Sequence, residues 1–418
     1  MDGEKFMELV INQETLKEEL SFMQGIVEKK AAVTALSNIL LQSVGEDKVR
    51  MTGSNMEITM HVYAPAQVFE KGAVLIGAKK IFDIARLLDS SEVRFQAEEN
   101  SWVRVESGNA KFRVASLDVK EYPDVPISAK TNLELTSDLI LSFIQMTSFA
   151  MSQEQSRYLL SAAKFLSVDE AGNRKKLRMV TTDGHRLAMV EKAFNGSDSH
   201  KTDSAESLSE VGDLDILIPK RALQELAKIC RSVEKVELGE DERHLYFGCG
   251  SRSLIVRKLV GNFPNYEAVI PKESPFRAEF DVSVLRSALR RVSLMADEMS
   301  HAVKITLRKN EALIEAFSQD GQAQETIPAV YDGDLFTIGF NSQYIQEFLD
   351  VVLSVSGSFS EAVEEVEKEV ESDKVKVKAS EGKRRISFEF RDSNSQVVMR
   401  PLGLKDYNYV YVVMPLRL

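Results

Sequence analysis

The sequence predicts an α+β chain of three tandem, related domains, each with two helices laid against antiparallel sheets. Three observations predict it. The segment Val74-Leu-Ile-Gly-Ala-Lys-Lys-Ile-Phe-Asp-Ile-Ala-Arg-Leu-Leu88 matches Ile216-Leu-Ile-Pro-Lys-Arg-Ala-Leu-Gln-Glu-Leu-Ala-Lys-Ile-Cys230 in pattern and spacing, the signature of an internal repeat. Within each copy the apolar period changes from that of a strand to that of a helix. The chain has 418 residues and is 44% hydrophobic, more than one core accommodates and enough for several.

The elements follow in order. A helix opens each unit, marked one turn apart by Leu16, Leu20 and Met23, by Ile140 and Ile144, and by Leu285, Leu289 and Val292. Strands such as Lys48-Val-Arg-Met-Thr, Lys176-Leu-Arg-Met-Val and Ala312-Leu-Ile-Glu-Ala come next. A second helix carries Ile81, Ile84, Ala85 and Leu88 at i, i+3, i+4 and i+7, repeated by Leu223, Leu226, Ala227 and Cys230 and again by Ile345, Phe348, Leu349 and Val352. Short alternating runs then read as antiparallel strands: Val93-Arg-Phe, Trp102-Val-Arg-Val and Phe112-Arg-Val against Val236-Glu-Leu, Leu245-Tyr-Phe and Leu254-Ile-Val. The third copy closes on Ile386-Ser-Phe-Glu-Phe and Tyr409-Val-Tyr-Val-Val413.

Pro and polar residues cluster near Tyr122 to Lys130 and Pro271 to Pro275, which places domains at 1–128, 129–272 and 273–418. Two stretches break the repeat. Asn195 to Asp213, rich in Ser, Asp and Gly, reads as a polar loop. An acidic insert at about 354–383 interrupts the third unit. Between Glu361 and Asp373 it holds seven acids against Lys368, with Val363, Val366 and Val370 at helical spacing, the pattern of a solvated or amphipathic acidic segment.

Composition bounds the function. No run approaches the roughly 18 apolar residues of a membrane span, and the Met1-Asp2-Gly3-Glu4-Lys5 start has no export signal. Cys230 and Cys249 are too few for a disulfide framework, so a cytoplasmic protein is expected. The net charge of −11 argues against a uniformly basic nucleic-acid binder and leaves open a local basic face.

Nucleotide and metal signatures are absent: there is no Walker loop, Gly248-Cys-Gly250 lacks a third glycine, and the five histidines form no ligand pair. No cofactor is expected. The most catalytic-looking motif is Thr181-Thr-Asp-Gly-His-Arg-Leu187, where Asp183 beside His185 suits a general base of a hydrolase. The same residues suit a hairpin turn, since Gly184 supplies a positive backbone angle, or a partner-binding loop. The basic residues repeat with the helices: Lys79 and Arg86 occupy the places of Arg221 and Lys228, while Lys29 and Lys30 close the first helix, Lys220 and Arg231 flank the fourth, and Arg286, Arg290 and Arg291 line the fifth. Arg157 adds a further cation. Such a separation of charge lets an acidic protein offer phosphates a weakly positive face. The third unit departs, with Gln343 and Asp350 at the equivalent places.

Six segments, in order, resemble the bacterial DNA polymerase III beta subunit, the processivity sliding clamp: Leu36-Ser-Asn-Ile-Leu-Leu, Thr52-Gly-Ser-Asn-Met-Glu57, Ser156-Arg-Tyr-Leu-Leu160, Thr181-Thr-Asp-Gly-His-Arg-Leu-Ala188, Lys258-Leu-Val-Gly-Asn-Phe-Pro-Asn-Tyr266 and Tyr411-Val-Val-Met-Pro-Leu-Arg-Leu418. The resemblance implies three DNA-clamp domains with helices inside and sheets outside, closed into a ring by a head-to-tail homodimer. It implies encircled double-stranded DNA, held without sequence preference, and no chemistry of the subunit's own. Lys29, Lys30, Lys79, Arg86, Arg157, Lys220, Arg221, Lys228, Arg286 and Arg290 are then the expected DNA contacts. It also implies a groove for the short linear motifs of the replicative polymerase, clamp loader, repair polymerases and mismatch-repair and ligase proteins. The matching positions are Leu160, Thr182, Gly184, His185, Arg186, Leu187, Pro264, Val269, Asn394, Gln396, Val413, Met414, Pro415, Leu416 and Arg417. Arg186 is expected to meet a peptide carbonyl or carboxylate. Phe112 and Val114 against Leu294 and Met295 form the implied dimer interface, and a cytoplasmic, nucleoid-associated location follows. An adaptor with the same fold that never encircles DNA stands as the alternative.

Overall fold

The computed structural model of the chain describes residues 6–28, 33–89, 91–127, 130–170, 174–194, 214–355 and 384–417. The acidic segment 356–383, the polar loop 195–213, and Lys29 and Lys30 lie outside the described residues. Six α-helices are described: α1 (Gln13–Met23), α2 (Ala78–Leu87), α3 (Ser137–Thr147), α4 (Lys220–Cys230), α5 (Val282–Val292) and α6 (Ser342–Ser354).

Each helix begins on the residue after a strand ends. A cap makes that abrupt change possible in three of them. The Asn12 carboxamide accepts from Thr15 N at 3.1 Å, Asp281 from Val284 N at 3.0 Å and Asn341 from Gln343 N at 2.9 Å, each satisfying a first-turn amide that has no helical partner. The expected stripes are the buried faces: Leu16, Leu20 and Met23 of α1, Leu285, Leu289 and Val292 of α5, and Ile345, Phe348, Leu349 and Val352 of α6 are all essentially inaccessible. Each such side chain contributes about 1.5–3 kcal/mol of burial. Helix α1 ends at Met23, whose carbonyl accepts from both Ile26 N and Val27 N at 3.0 Å, so it stops short of Lys29 and Lys30 instead of running up to them.

The chain separates into two compact units. The first takes the described residues up to Leu141 together with 221–259, the second the described residues of 142–195, 213–220 and 260–418. In the first, twelve strands pair in the order Glu8–Asn12, Glu92–Glu98, Trp102–Ser107, Ala110–Leu117, Ala73–Gly77, Asn38–Val44, Lys48–Ser54, Ile58–Glu70, Arg252–Arg257, His244–Cys249, Lys235–Glu240, Leu133–Thr136. The long strand Ile58–Glu70 also pairs with Glu8–Asn12, closing the first repeat's strands on themselves around α1 and α2. Its other half pairs with Arg252–Arg257, with Val62 opposite Arg252 and Ile58 opposite Val256, so one sheet runs from the first repeat into the second.

The second unit repeats that seam. Its eight-stranded sheet runs Asp215–Pro219, Ala162–Glu170, Arg174–Thr182, Arg186–Phe194, Asn408–Val413, Val397–Leu402, Arg385–Phe390, Phe276–Asp281. The pairing of Arg186–Phe194 with Asn408–Val413 joins the second repeat to the end of the third. A four-stranded sheet, Gly321–Pro328, Glu311–Ser318, Ala302–Arg308 and Phe336–Asn341, backs α5. Periodicity predicts these strands but carries no signal for pairing between repeats, because both partners show the same alternation. That seam positions the site.

Candidate partner groove and nucleic-acid faces

Strands Arg174–Thr182 and Arg186–Phe194 form a hairpin around Asp183-Gly184-His185. The turn is built from its own side chains. Thr182 Oγ1 donates to Arg186 O at 2.6 Å and accepts from Gly184 N at 3.1 Å, while Asp183 Oδ1 accepts from His185 N at 2.9 Å and Arg186 N at 3.0 Å. Gly184 takes φ +93°, a conformation strained for any residue with a Cβ. Beside this turn the end of the chain is fixed by Met414 N donating to His185 O at 2.9 Å.

Between the turn, the chain end and the segment Phe263–Val269 lies a concavity of about 140 Å³, lined by Leu160, Thr182, Gly184, His185, Arg186, Leu187, Pro264, Tyr266, Val269, Val412 and Met414. Its floor is the outer layer of a core made by Val180, Leu187, Met189, Phe263, Tyr266, Val398, Val410 and Val412. An apolar floor with a few backbone polar groups at the rim suits side chains of a short peptide, and an adaptable Met at the lip tolerates several shapes.

Most expected groove positions meet there; Val413 does not, for a reason of strand register, and Asn394, Gln396, Pro415, Leu416 and Arg417 lie elsewhere. Leu187 pairs with Val412 and Arg186 with Val413, so Val412 shares the groove face of Leu187, and Val413 is fully buried beside Arg186. The alternation of Tyr409-Val-Tyr-Val-Val413 allows either face, and only the pairing decides. Leu416 N donates to Gly339 O at 2.8 Å, which ties Pro415 and Leu416 to the strand Phe336–Asn341, and Arg417 is exposed beyond it. Asn394 and Gln396 sit in the turn after Phe390 and do not line the concavity. Tyr266 and Val412 also line it, outside the expected set. The position of Tyr266 two residues after Pro264, inside the matched Phe263-Pro-Asn-Tyr266 run, is the signal in the sequence that points to it.

Arg186 lines the wall and is held by partners within the chain. Its guanidinium donates to Asp183 Oδ2 at 3.0 Å, to Phe149 O at 2.8 Å and to the Glu347 carboxylate, and lies 4.4 Å over the Tyr344 ring. Burial opposes its charge, but the Tyr411 hydroxyl, Glu347 and Asp183 outweigh burial and raise its pKa. The guanidinium therefore braces the turn against α6. The hydrolase reading fails on the same geometry: the Asp183 oxygens are occupied by backbone amides and Arg186, and among the described residues no hydrogen bond joins Asp183 to the His185 ring.

The basic residues divide by what holds them. Lys79 and Arg290 are exposed on α2 and α5 without an ion pair among the described residues, and Arg86 makes only a loose 3.9 Å approach to Asp83. Arg221 instead binds Gly25 O and Ile26 O at 3.1 Å, Lys228 binds Glu225 at 2.7 Å, and Arg286 pairs with Asp350. Asp350, the third repeat's departure from the basic pattern, thus neutralises Arg286 on a neighbouring helix. Lys220 is partly buried, and its pKa is lowered first by burial and then by Arg186. Arg157 lies on no α-helix: it pairs with Glu154 at 3.0 Å and donates to Asp183 O at 3.3 Å, at the groove rim. Of the expected interface residues, Phe112 and Val114 lie on the strand Ala110–Leu117, which meets its neighbour Ala73–Gly77 only through Ser116 and Leu117. Leu294 is 78% exposed and Met295 lies beside it after α5.

A tandem α+β repeat with an apolar groove on the seam between repeats, and cations spread along its helices, defines a binding protein of the clamp-domain class. Over residues 7–126, 134–265 and 267–365 the chain matches the N-terminal, central and C-terminal domains of the DNA polymerase III beta subunit. The beta sliding clamp of Pseudomonas putida is 27% identical over 423 aligned residues, spanning 99% of this chain and 100% of that protein. That of Caulobacter vibrioides is 28% identical over 362, 85% and 92% of the two chains. The solved structure of Caulobacter crescentus pol III beta superposes with a TM-score of 0.83 at 25% identity, covering 99% of this chain and 100% of that one. The chain belongs to the DNA polymerase III beta subunit family. It is a DNA sliding clamp, a non-catalytic subunit that gives replication its processivity.

Proposed function

We propose that the clamp closes as a head-to-tail homodimeric ring around duplex DNA and presents one groove per subunit to the short linear motifs of its partners. Domains at 1–128, 129–272 and 273–418 are the units of that ring. The strand Ala110–Leu117 pairs with Trp102–Ser107 on one side, and on the other side it meets Ala73–Gly77 only at Ser116 and Leu117; the edge left open along Phe112 and Val114 supports its role as one half of the joint, because an open edge invites pairing. Leu294 and Met295 are read as the other half. The free cations Lys79 and Arg290, with Arg86, supply loose phosphate contacts compatible with sliding; Lys228 and Arg286, each held by a carboxylate, contribute less.

The observation that carries the groove reading is the apolar concavity over Leu187 and Val412, with Pro264 and Met414 in its lining. The replicative polymerase, clamp loader, repair polymerases and mismatch-repair and ligase proteins are the partners of this site, in the cytoplasm at the nucleoid. A Met414→Glu variant places a charge at the groove lip. It is expected to load on DNA as the parent does and to lose stimulation of the polymerase; stimulation at the parental level would overturn the groove assignment.

A further inference from the structure

We infer that Arg178 is a positioning residue for this groove, holding its outer wall at a fixed distance from the floor through the Tyr266 hydroxyl. The inference rests on the groove reading and adds a residue outside the lining. On one face of the sheet three cross-strand rows lie side by side: Thr182, Leu187 and Val412; then Val180, Met189 and Val410; then Arg178, Glu191 and Asn408. The first row contributes to the groove and the second is core. The third is polar and continuous. Arg178 Nε donates to Glu191 Oε1 at 2.6 Å, and Asn408 Nδ2 donates to Glu191 Oε2 at 2.7 Å.

From the end of that row Arg178 Nη1 reaches the wall, donating to Tyr266 OH at 2.7 Å and Glu267 Oε1 at 2.9 Å. The wall needs such an anchor. The stretch from Val260 to Pro275 joins no strand; its backbone-to-backbone bonds are the short turn contacts Val269 N to Tyr266 O and Ile270 N to Glu267 O, and at its start Tyr158 OH donates to Val260 O at 3.1 Å. The Tyr266 ring lines the groove at one edge while its hydroxyl ends on a guanidinium that is itself fixed by a buried carboxylate. Charge-assisted bonds of this kind are short and directional, so they locate the ring more tightly than apolar packing alone.

The probe is a fluorescein-labelled hexapeptide, Gly-Ser-Leu-Ser-Leu-Phe, with the same peptide ending in Ala as comparison. Binding is measured by anisotropy to the full-length dimer and to Tyr266→Phe, Arg178→Met and Met414→Glu. Tyr266→Phe keeps the ring and the fold and removes only the hydroxyl, so it carries the test if Arg178→Met folds poorly. The expected result is binding by the parent, loss in Met414→Glu, and in Tyr266→Phe about tenfold weaker binding with a reduced preference for Phe over Ala, as fits one lost bond to a charged group. A merely structural role would lower the melting temperature and leave that preference intact. Unchanged affinity and preference in Tyr266→Phe, with Met414→Glu inactive, would overturn this inference and leave the groove standing. No binding by the parent, or full binding by Met414→Glu, would overturn the groove reading itself.

Discussion

Asp183 holds Arg186, three residues along, with a 3.0 Å bond from Nε to Oδ2, and in doing so converts what reads as a catalytic pair into a turn. Its other oxygen caps the amides of His185 and Arg186, and the His185 ring stands outside that arrangement. The motif shapes the groove wall and carries out no reaction.

That division of labour predicts unequal costs at neighbouring residues. Asp183→Ala removes three hydrogen bonds, one of them between charged groups, and is expected to cost about 2 kcal/mol or more in urea unfolding. His185→Ala removes an exposed ring and is expected to stay within about 0.5 kcal/mol of the parent. Equal losses would contradict the assignment of Asp183 as the structural member.

A second prediction concerns the sheet that joins the first two repeats. Arg252 makes a bidentate pair with Glu19, at 2.6 and 2.7 Å, and a 2.9 Å bond to Glu18, and it lies 4.1 Å over the Phe22 ring. The Glu19 side chain is 8% exposed and that of Glu18 57%. Burial decides which matters. Glu19→Ala leaves Arg252 poorly compensated and is expected to cost about 3–5 kcal/mol, whereas Glu18→Ala is expected to cost about 0–1 kcal/mol. Unfolding midpoints of the two variants check this, and a Glu18 effect as large as that of Glu19 would contradict it.

Much of this architecture is legible in the sequence because each part rests on a local rule. The stripe Ile345, Phe348, Leu349 and Val352 identifies α6, and Asp-Gly between two alternating runs identifies the groove hairpin. What stays hidden depends on partners far away in sequence. Nothing near Arg186 announces that Glu347 will occupy its guanidinium, and nothing near Lys228 beyond Glu225 distinguishes it from the unpaired Lys79. The choice of Val412 over Val413 as groove floor rests on one residue of strand register. Arg157 reads as another cation for DNA, and only the folded chain puts it against the Asp183 carbonyl.

His61 makes stability depend on pH. Its Nε2 lies 2.7 Å from Pro126 O, which can only accept, so Nε2 carries the proton and Nδ1 accepts from Thr52 Oγ1 at 2.9 Å. Burial pushes its pKa below the ordinary 6.5; the Pro126 carbonyl works against that shift and Arg50 adds to it. The unfolded chain therefore takes up this proton at a higher pH than the folded one. The contribution is complete above about pH 6.5 and declines as pH falls toward the folded value. The thermal midpoint of the parent is expected to drop more between about pH 7.5 and 5.5 than that of His61→Gln; parallel curves would contradict the neutral, buried assignment.

The unequal freedom of the basic residues predicts unequal effects on DNA contact. Lys79→Ala and Arg290→Ala are each expected to reduce the salt dependence of duplex association by about one unit of slope if they touch phosphate. Lys228→Ala and Arg286→Ala, whose charges are already met by Glu225 and Asp350, are expected to change it less. Anisotropy titrations across a salt series measure the slopes, and a reversed order would contradict the ranking.

The most direct test of the central claim is retention on DNA whose topology is changed. The clamp is loaded by its loader on a nicked circle, and the bound fraction is followed before and after the circle is cut to a linear molecule. Encirclement predicts stable retention on the circle and rapid loss from the linear form. Equal retention on both would contradict it and show ordinary binding. Failure to associate, with the loader proven on a control clamp, would favour an adaptor that never surrounds DNA.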